Sequence, residues 1–219
     1  MCGILGSIPA MQTDKFKNAL SRLQHRGPDG YGIWNEQDYK ISLGHRRLSI
    51  LDLSENGKQP MEWADRYVIT FNGEIYNYVE LKKDLEQKGV TFRTTSDTEV
   101  LLALYTREGS SCLQKLNGMW AFAIYDKQEN TLFLSRDRMG KKPLFYILEP
   151  HQFVFASEMK ALYPFLKEVT PDVDLVNLAK VDMFSYENTS NCLIKDIHRF
   201  PAASYALYKN GHLQISSFW

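Results

Sequence analysis

The chain has 219 residues, of which 44% are hydrophobic and 24% charged, the balance of an ordinary globular protein of one large domain or two small ones. Its 26 basic and 26 acidic residues cancel to a formal charge of zero, which leaves no electrostatic footprint for nucleic acid or an anionic membrane surface. No apolar run approaches the ~20 residues needed to cross a bilayer, and the N-terminus lacks a basic segment followed by a long apolar one, so the expected setting is the cytoplasm, with no membrane and no nucleic acid as partners.

Residues 1–6 read Met-Cys-Gly-Ile-Leu-Gly. Cys2 is small enough for the initiator methionine to be removed. It would then carry a thiol and a free α-amine on one carbon. An α-amine titrates near ~7.7–8, so a useful fraction is neutral at pH 7 and can take the thiol proton. The thiolate is the nucleophile, and one residue can therefore supply nucleophile and base together. The alternative is a small hydrophobe opening a buried strand. Residues 4–8 read as that strand, and residues 14–25 as a helix with Phe16, Ala19, Leu20 and Leu23 on one face. The run His-Arg-Gly-Pro-Asp-Gly-Tyr-Gly over 25–32 is a shaped loop. His25 fits loop shaping better than proton transfer. Residues 31–34 and 40–46 look like paired strands. Arg46-Arg47 follow, either as a two-pronged carboxylate ligand or as a surface charge pair. His45 reads as structural.

A strand is predicted over 66–71, running into Asn72-Gly73-Glu74. Asn72 can donate from its side-chain amide and Gly73 from its backbone N–H. Together they would form an oxyanion hole, or else an ordinary tight turn. Glu74 is a candidate ammonium ligand or a loop carboxylate. A helix follows with Tyr78, Leu81 and Leu85 on one face and Gly89 as its C-cap. Ser96-Asp97-Thr98-Glu99 fits a capping box before a helix over 98–107. Asp97 is therefore either a cap or an ammonium ligand. Strands are expected over 119–125, 131–136, 143–148 and 152–156, with short helices over 157–163 and 174–184. A closing hairpin is expected around Asn210-Gly211. The strand at 119–125 is apolar on both faces and must be covered on both. These features define an α+β class. The three cysteines, Cys2, Cys112 and Cys192, are odd in number and far apart, which suits free thiols; the latter two read as buried fillers. No cysteine and histidine spacing suits a metal, so none is expected.

Several segments, taken in order, resemble one family. They are Met-Cys-Gly-Ile-Leu-Gly at the start, His-Arg-Gly-Pro-Asp-Gly at 25–30, Gly-His-Arg-Arg-Leu-Ser-Ile-Leu-Asp at 44–52, Phe-Asn-Gly-Glu-Ile-Tyr-Asn at 71–77 and Ser-Asp-Thr-Glu-Val at 96–100. Longer matches run over 116–126, 136–146, 156–162 and 197–205. The chain is similar throughout to the glutaminase domain of class II glutamine amidotransferases, within the N-terminal-nucleophile hydrolases, and most similar to the asparagine synthetase type. The resemblance implies a four-layer αββα sandwich over residues 1–219. It implies Cys2 as nucleophile, Asn72 and Gly73 as the oxyanion hole, and Arg47 on the substrate carboxylate. Asp97 and Glu74 would sit at its ammonium, and the backbone near Ile50 and Leu51 would complete the pocket. It implies L-glutamine as substrate and an ATP-dependent synthetase domain or subunit as partner, with a homodimer open as an assembly. ATP and Mg²⁺ are expected only in that synthetase domain, whose Gly-rich pyrophosphate loop is not found in this sequence. Lys141-Lys142 departs from the family's more usual apolar residue followed by lysine. Two other readings stand beside this one: an amidotransferase for a sugar or peptide acceptor, and a catalytically silent module that senses glutamine or docks a synthetase.

Overall fold

The computed structural model describes residues 1–36, 38, 40–52, 54–174, 176, 190 and 192–219. Most of the helix expected over 174–184 lies outside the described residues.

Twelve strands and three α-helices make up the described architecture. One antiparallel sheet contains β1 (Gly3–Ile8), β2 (Gly30–Asn35), β3 (Ser42–Arg47), β8 (Phe145–Glu149), β9 (Gln152–Ala156) and β10 (His198–Arg199), in the order β10-β8-β9-β1-β3-β2. The other contains β4 (Met61–Trp63), β5 (Tyr67–Ile75), β6 (Gly118–Asp126), β7 (Thr131–Arg136), β11 (Ser204–Lys209) and β12 (His212–Ser217), in the order β12-β11-β7-β6-β5-β4. Side chains alternate across each strand, and that alternation sorts the apolar residues into layers. On β6, Ala121, Ala123 and Tyr125 face the other sheet, where they meet Ile4, Leu43, Phe153 and Phe155. Trp120, Phe122 and Ile124 face the opposite way, onto α2 (Tyr78–Gln87) and α3 (Asp97–Glu108). Leu5, Val154 and Ala156 point outward from the first sheet onto α1 (Thr13–Ser21) and the short 3₁₀ turns Met159–Ala161 and Tyr163–Phe165. The result is helix, sheet, sheet, helix: the four-layer αββα sandwich. Trp120 and Phe122 are 0% exposed, and burial of such side chains contributes ~1.5–3 kcal/mol each.

Several boundaries differ from expectation for physical reasons. Helix α1 ends at Ser21 rather than running to 25, because Leu23, Gln24 and Arg26 close onto carbonyls three residues back and turn the chain into the following loop. The helix expected over 157–163 is the pair of 3₁₀ turns. Strands β4 and β10 are short and were not foreseen. Strand β5 continues through Asn72 and Gly73 to Ile75, paired residue for residue with β6, with Asn72 opposite Ala121 and Gly73 opposite Trp120. The Asn-Gly pair is therefore strand and not turn. A Cβ on Gly73 would lie 2.4 Å from the Met119 carbonyl oxygen and 2.5 Å from the Phe71 ring, so only glycine fits. The Asn-Gly at 210–211 does make the hairpin, with φ of 51° and 83° as a two-residue loop requires. Among the described residues no helix is long and apolar enough to cross a membrane.

Candidate active site

The N-terminus is held at the end of the first sheet where it faces the second. Ile4 N–H donates to Ser157 Oγ (2.9 Å) and Ser157 N–H donates back to the Ile4 carbonyl (3.0 Å). Arg26, nearly buried, donates from Nε to the Cys2 carbonyl (2.8 Å) and from Nη1 to Glu158 Oε1 (2.9 Å). Charge-assisted bonds of this kind are the stronger ones. Cys2 is thereby fixed from its own carbonyl, and its Sγ receives the Leu48 N–H at 3.4 Å. Burial is the largest influence on the Cys2 thiol and raises its pKa. The Leu48 backbone, the amino terminus of the chain and Lys142 act in the opposite direction, and Asp97 adds to the rise.

All of the predicted site residues line one narrow cavity of about 70 Å³: Cys2, Arg47, Ile50, Leu51, Asn72, Gly73, Glu74 and Asp97. Met1 also lines it and is 54% exposed. While Met1 is attached, the Cys2 nitrogen is an amide and cannot accept a proton. Removal of Met1 would free the amine and widen the cavity together.

Asn72 is 1% exposed, and neither Nδ2 nor Oδ1 has a hydrogen-bond partner among the described residues. Burial of an amide without partners is costly, so such a group marks a place where a ligand completes the bonding. Asp97 is not the helix cap. Ser96 caps α3, its Oγ accepting the Glu99 N–H at 3.3 Å. The Glu99 carboxylate does not return to Ser96 but accepts the N–H groups of Arg93 and Thr94, so the predicted capping box is only half made. Asp97, 5% exposed, accepts the Ile75 N–H at 2.9 Å. Burial lifts its carboxyl to about 6, with the Glu74 charge adding to the rise.

Arg47 ends β3 and turns its guanidinium toward the loop that roofs the cavity, with Nη1 on the Ser54 carbonyl (3.0 Å) and Nη2 on that of Asp52. Asp52 ties the same loop down, its Oδ2 accepting the Thr95 N–H at 3.0 Å. The exposed Ile50 and half-exposed Leu51 form the rim of that loop.

Gln59, Lys142 and His45 are among the lining residues that escaped the sequence reading as contributors to the site. Gln59 bridges the floor, its Nε2 donating to Thr98 Oγ1 (3.2 Å) and its Oε1 accepting the Phe71 N–H (2.7 Å). Lys142, 4% exposed, enters from the loop after β7. His45, expected to be structural, does join the sheets, with Nε2 3.1 Å from the Phe71 carbonyl oxygen, yet it also lines the cavity. Burial lowers its pKa to about 3, so the ring is neutral at pH 7, Nε2–H donates and Nδ1 is left without a partner among the described residues. Gln59 carried no periodic or motif signal, and Lys142 lies in a matched segment, 136–146, that was given no role at the site. Arg26, part of a recognised loop motif, gave no hint of its bond to Cys2. His25 stays at the surface, its Nε2 2.9 Å from the Glu158 carboxylate, a side-chain contact in place of the backbone bond expected of a loop-shaping histidine. Cys112 and Cys192 are buried free thiols. No group of three or more metal-ligating side chains is gathered among the described residues.

In this four-layer sandwich a cysteine at the start of β1 and the unpartnered amide of Asn72 on β5 line one cavity. The chain belongs to the glutamine amidotransferase domain family, whose model matches residues 1–219. It is 38% identical to the putative asparagine synthetase [glutamine-hydrolyzing] 2 of Methanocaldococcus jannaschii, over 96% of this chain and 42% of that protein. It is 36% identical to asparagine synthetase [glutamine-hydrolyzing] 3 of Bacillus subtilis, over 100% of this chain and 36% of that one. The chain thus spans well under half the length of these relatives. Glutamine phosphoribosylpyrophosphate amidotransferase of B. subtilis shares the fold, with a TM-score of 0.73 over 100% of this chain and 49% of that one, at 22% identity.

Proposed function

We propose that this chain hydrolyses the side-chain amide of free L-glutamine and supplies the ammonia to an ATP-dependent amidation of the asparagine synthetase type. The observation that carries the reading is the buried, unpartnered Asn72 amide in the same cavity as the Cys2 thiol. Once Met1 is gone, the Cys2 α-amine takes the thiol proton. The thiolate attacks the carboxamide carbon, and the oxygen that gains the electron pair is held by Asn72 Nδ2 and the Gly73 N–H. Each such donor is worth ~10²–10³ in rate. The intermediate collapses as the α-ammonium of Cys2 protonates the departing nitrogen, which leaves as ammonia. A thioester to Cys2 remains. Water activated by the same amine adds to it, releasing glutamate and restoring the thiol.

In this reading Arg47 holds the α-carboxylate and Asp97 and Glu74 the α-ammonium of a free amino acid, so glutamine within a peptide is excluded at both ends. The names of the relatives support asparagine as the product. Aspartate activation, with its ATP and Mg²⁺, is assigned to a synthetase domain or subunit corresponding to the remaining length of those relatives. No step assigned to residues 1–219 calls on either cofactor.

The test is intact mass of the purified chain followed by glutamate release from glutamine on the same sample, alongside Cys2→Ala. A chain lacking Met1 is expected to turn over, and Cys2→Ala to be silent and folded. Equal release by Cys2→Ala would refute the mechanism.

A further inference from the structure

Lys142 is the lysine of the family pattern, preceded here by Lys141 in place of the more usual apolar residue, and the chemistry above assigns it nothing. Its neighbour Lys141 is exposed to solvent, whereas Lys142 is 4% exposed. The loop after β7 imposes that difference. Asp137 Oδ1 accepts the N–H groups of Met139 (3.1 Å) and Lys141 (2.9 Å), and Oδ2 accepts those of Lys142 (3.0 Å) and Trp120 (3.2 Å). Arg136 Nε donates to the Lys142 carbonyl at 2.8 Å. Both backbone polar groups at 142 are thus held, and the side chain runs into the cavity that contains Cys2. Lysine is almost never buried this far without a reason.

The charges around the cavity are few. Arg26 directs its donors to Glu158 and the Cys2 carbonyl, and Arg47 to the loop carbonyls of Ser54 and Asp52. His45 is neutral. Asp97 and Glu74 are the acids, and the amino terminus is the remaining cation on the side of Cys2. The Lys142 ammonium is within electrostatic reach of Cys2, Glu74, Arg26 and Asp137.

We propose that Lys142 is a positioning residue for the nucleophile: its ammonium shares the cavity with the Cys2 sulfur and stabilises the thiolate by its charge. Lys142 transfers no proton and forms no bond in this role. The proposal rests on Cys2 being the nucleophile. An opposite charge close to a titrating group moves its pKa by ~1–3 units. A cavity open to water at one end places this pair at the low end.

The experiment is the pH dependence of Cys2 alkylation by iodoacetamide, followed by peptide mass in the chain lacking Met1. Lys142→Met and Lys142→Gln remove the charge, and Lys142→Arg keeps it. Thermal melts identify the folded variants, and Gln carries the test where Met does not fold. The expected result is an apparent thiol pKa raised by roughly one unit in Met or Gln, with alkylation at pH 7 slowed about tenfold, and a profile in Arg close to that of the parent. Superposition of the Met or Gln profile on the parent would overturn the proposal. So would an Arg profile displaced as far as Met, which would assign Lys142 to packing. Alkylation needs no glutamine, so this profile decides the role of Lys142 whether or not the parent turns glutamine over.

Discussion

Asn72→Ala should separate catalysis from stability. In most buried positions loss of a polar side chain removes a hydrogen bond worth ~0.5–1.5 kcal/mol and strands its partner at a further ~1–3 kcal/mol. Asn72 has no such bond: both polar atoms of its amide lack partners among the described residues, although the side chain is buried. Truncation therefore strands nothing, and the cost to folding is expected to stay below about 1 kcal/mol, or within ~2–4 °C in Tm for a chain of this size. The same change deletes an oxyanion donor, which is worth ~2.7–4 kcal/mol in the transition state, so kcat should fall ~10²–10³-fold. The ground state gains little from that donor, so KM should move far less than kcat. The assay is steady-state glutamate release paired with a calorimetric melt. A kcat within about threefold of the parent would refute the oxyanion assignment. A Tm lowered by ten degrees or so would show that the amide is bonded within the fold and that its lack of partners has been misjudged.

Two further predictions follow from buried titrating groups. The Asp97 carboxyl titrates at about 6 in the fold and near 3.8 unfolded, so ionisation opposes folding: the associated stability is present at low pH and is lost as pH rises through 6. Asp97→Asn should therefore be more stable than the parent at pH 8, by as much as about 3 kcal/mol in denaturant unfolding, while glutamine binding collapses. In the parent, KM should rise as pH drops below 6; a KM flat from pH 8 to 5 would contradict a role for the Asp97 charge in binding. His45 shows the opposite case. Its folded pKa, about 3, lies below the unfolded 6.5, so the unfolded chain takes up the proton first and stability falls as pH drops from 6.5 toward 3. Unfolding free energies at pH 7 and pH 5 should differ by about 2 kcal/mol more in the parent than in His45→Gln, and equal differences would mean the ring is reached by protons in the fold.

What the sequence determined by itself was local in origin. The alternation of apolar residues on both faces of β6 required cover on two sides, and that requirement is the sandwich. The motif Asn210-Gly211 specified its own hairpin. Ser96 was legible as a cap because its partner, the Glu99 N–H, is three residues away. The residues assigned to the site through their motifs share one cavity, down to Ile50 and Leu51 on the rim, whereas Gln59, Lys142 and His45 beside them were not legible as part of it.

What only the tertiary structure decided depends on partners far apart in sequence. Asn72-Gly73 has the composition of a turn, and it is strand because β6 supplies a complete ladder more than forty residues on. Asp97 could have been a cap by its sequence position, and it is instead a buried hydrogen-bond acceptor because Ile75, 22 residues earlier, presents an N–H to it. Arg26 reaches Cys2 and Glu158 across separations of 24 and 132 residues. Lys142 is buried while Lys141 is exposed because one carboxylate, Asp137, sets the loop between them. Local propensity is a sum over near neighbours, and none of these contacts enters that sum. The chemistry of the site is set by which polar groups the two sheets leave buried and unpaired, and that is known only once the sheets have packed.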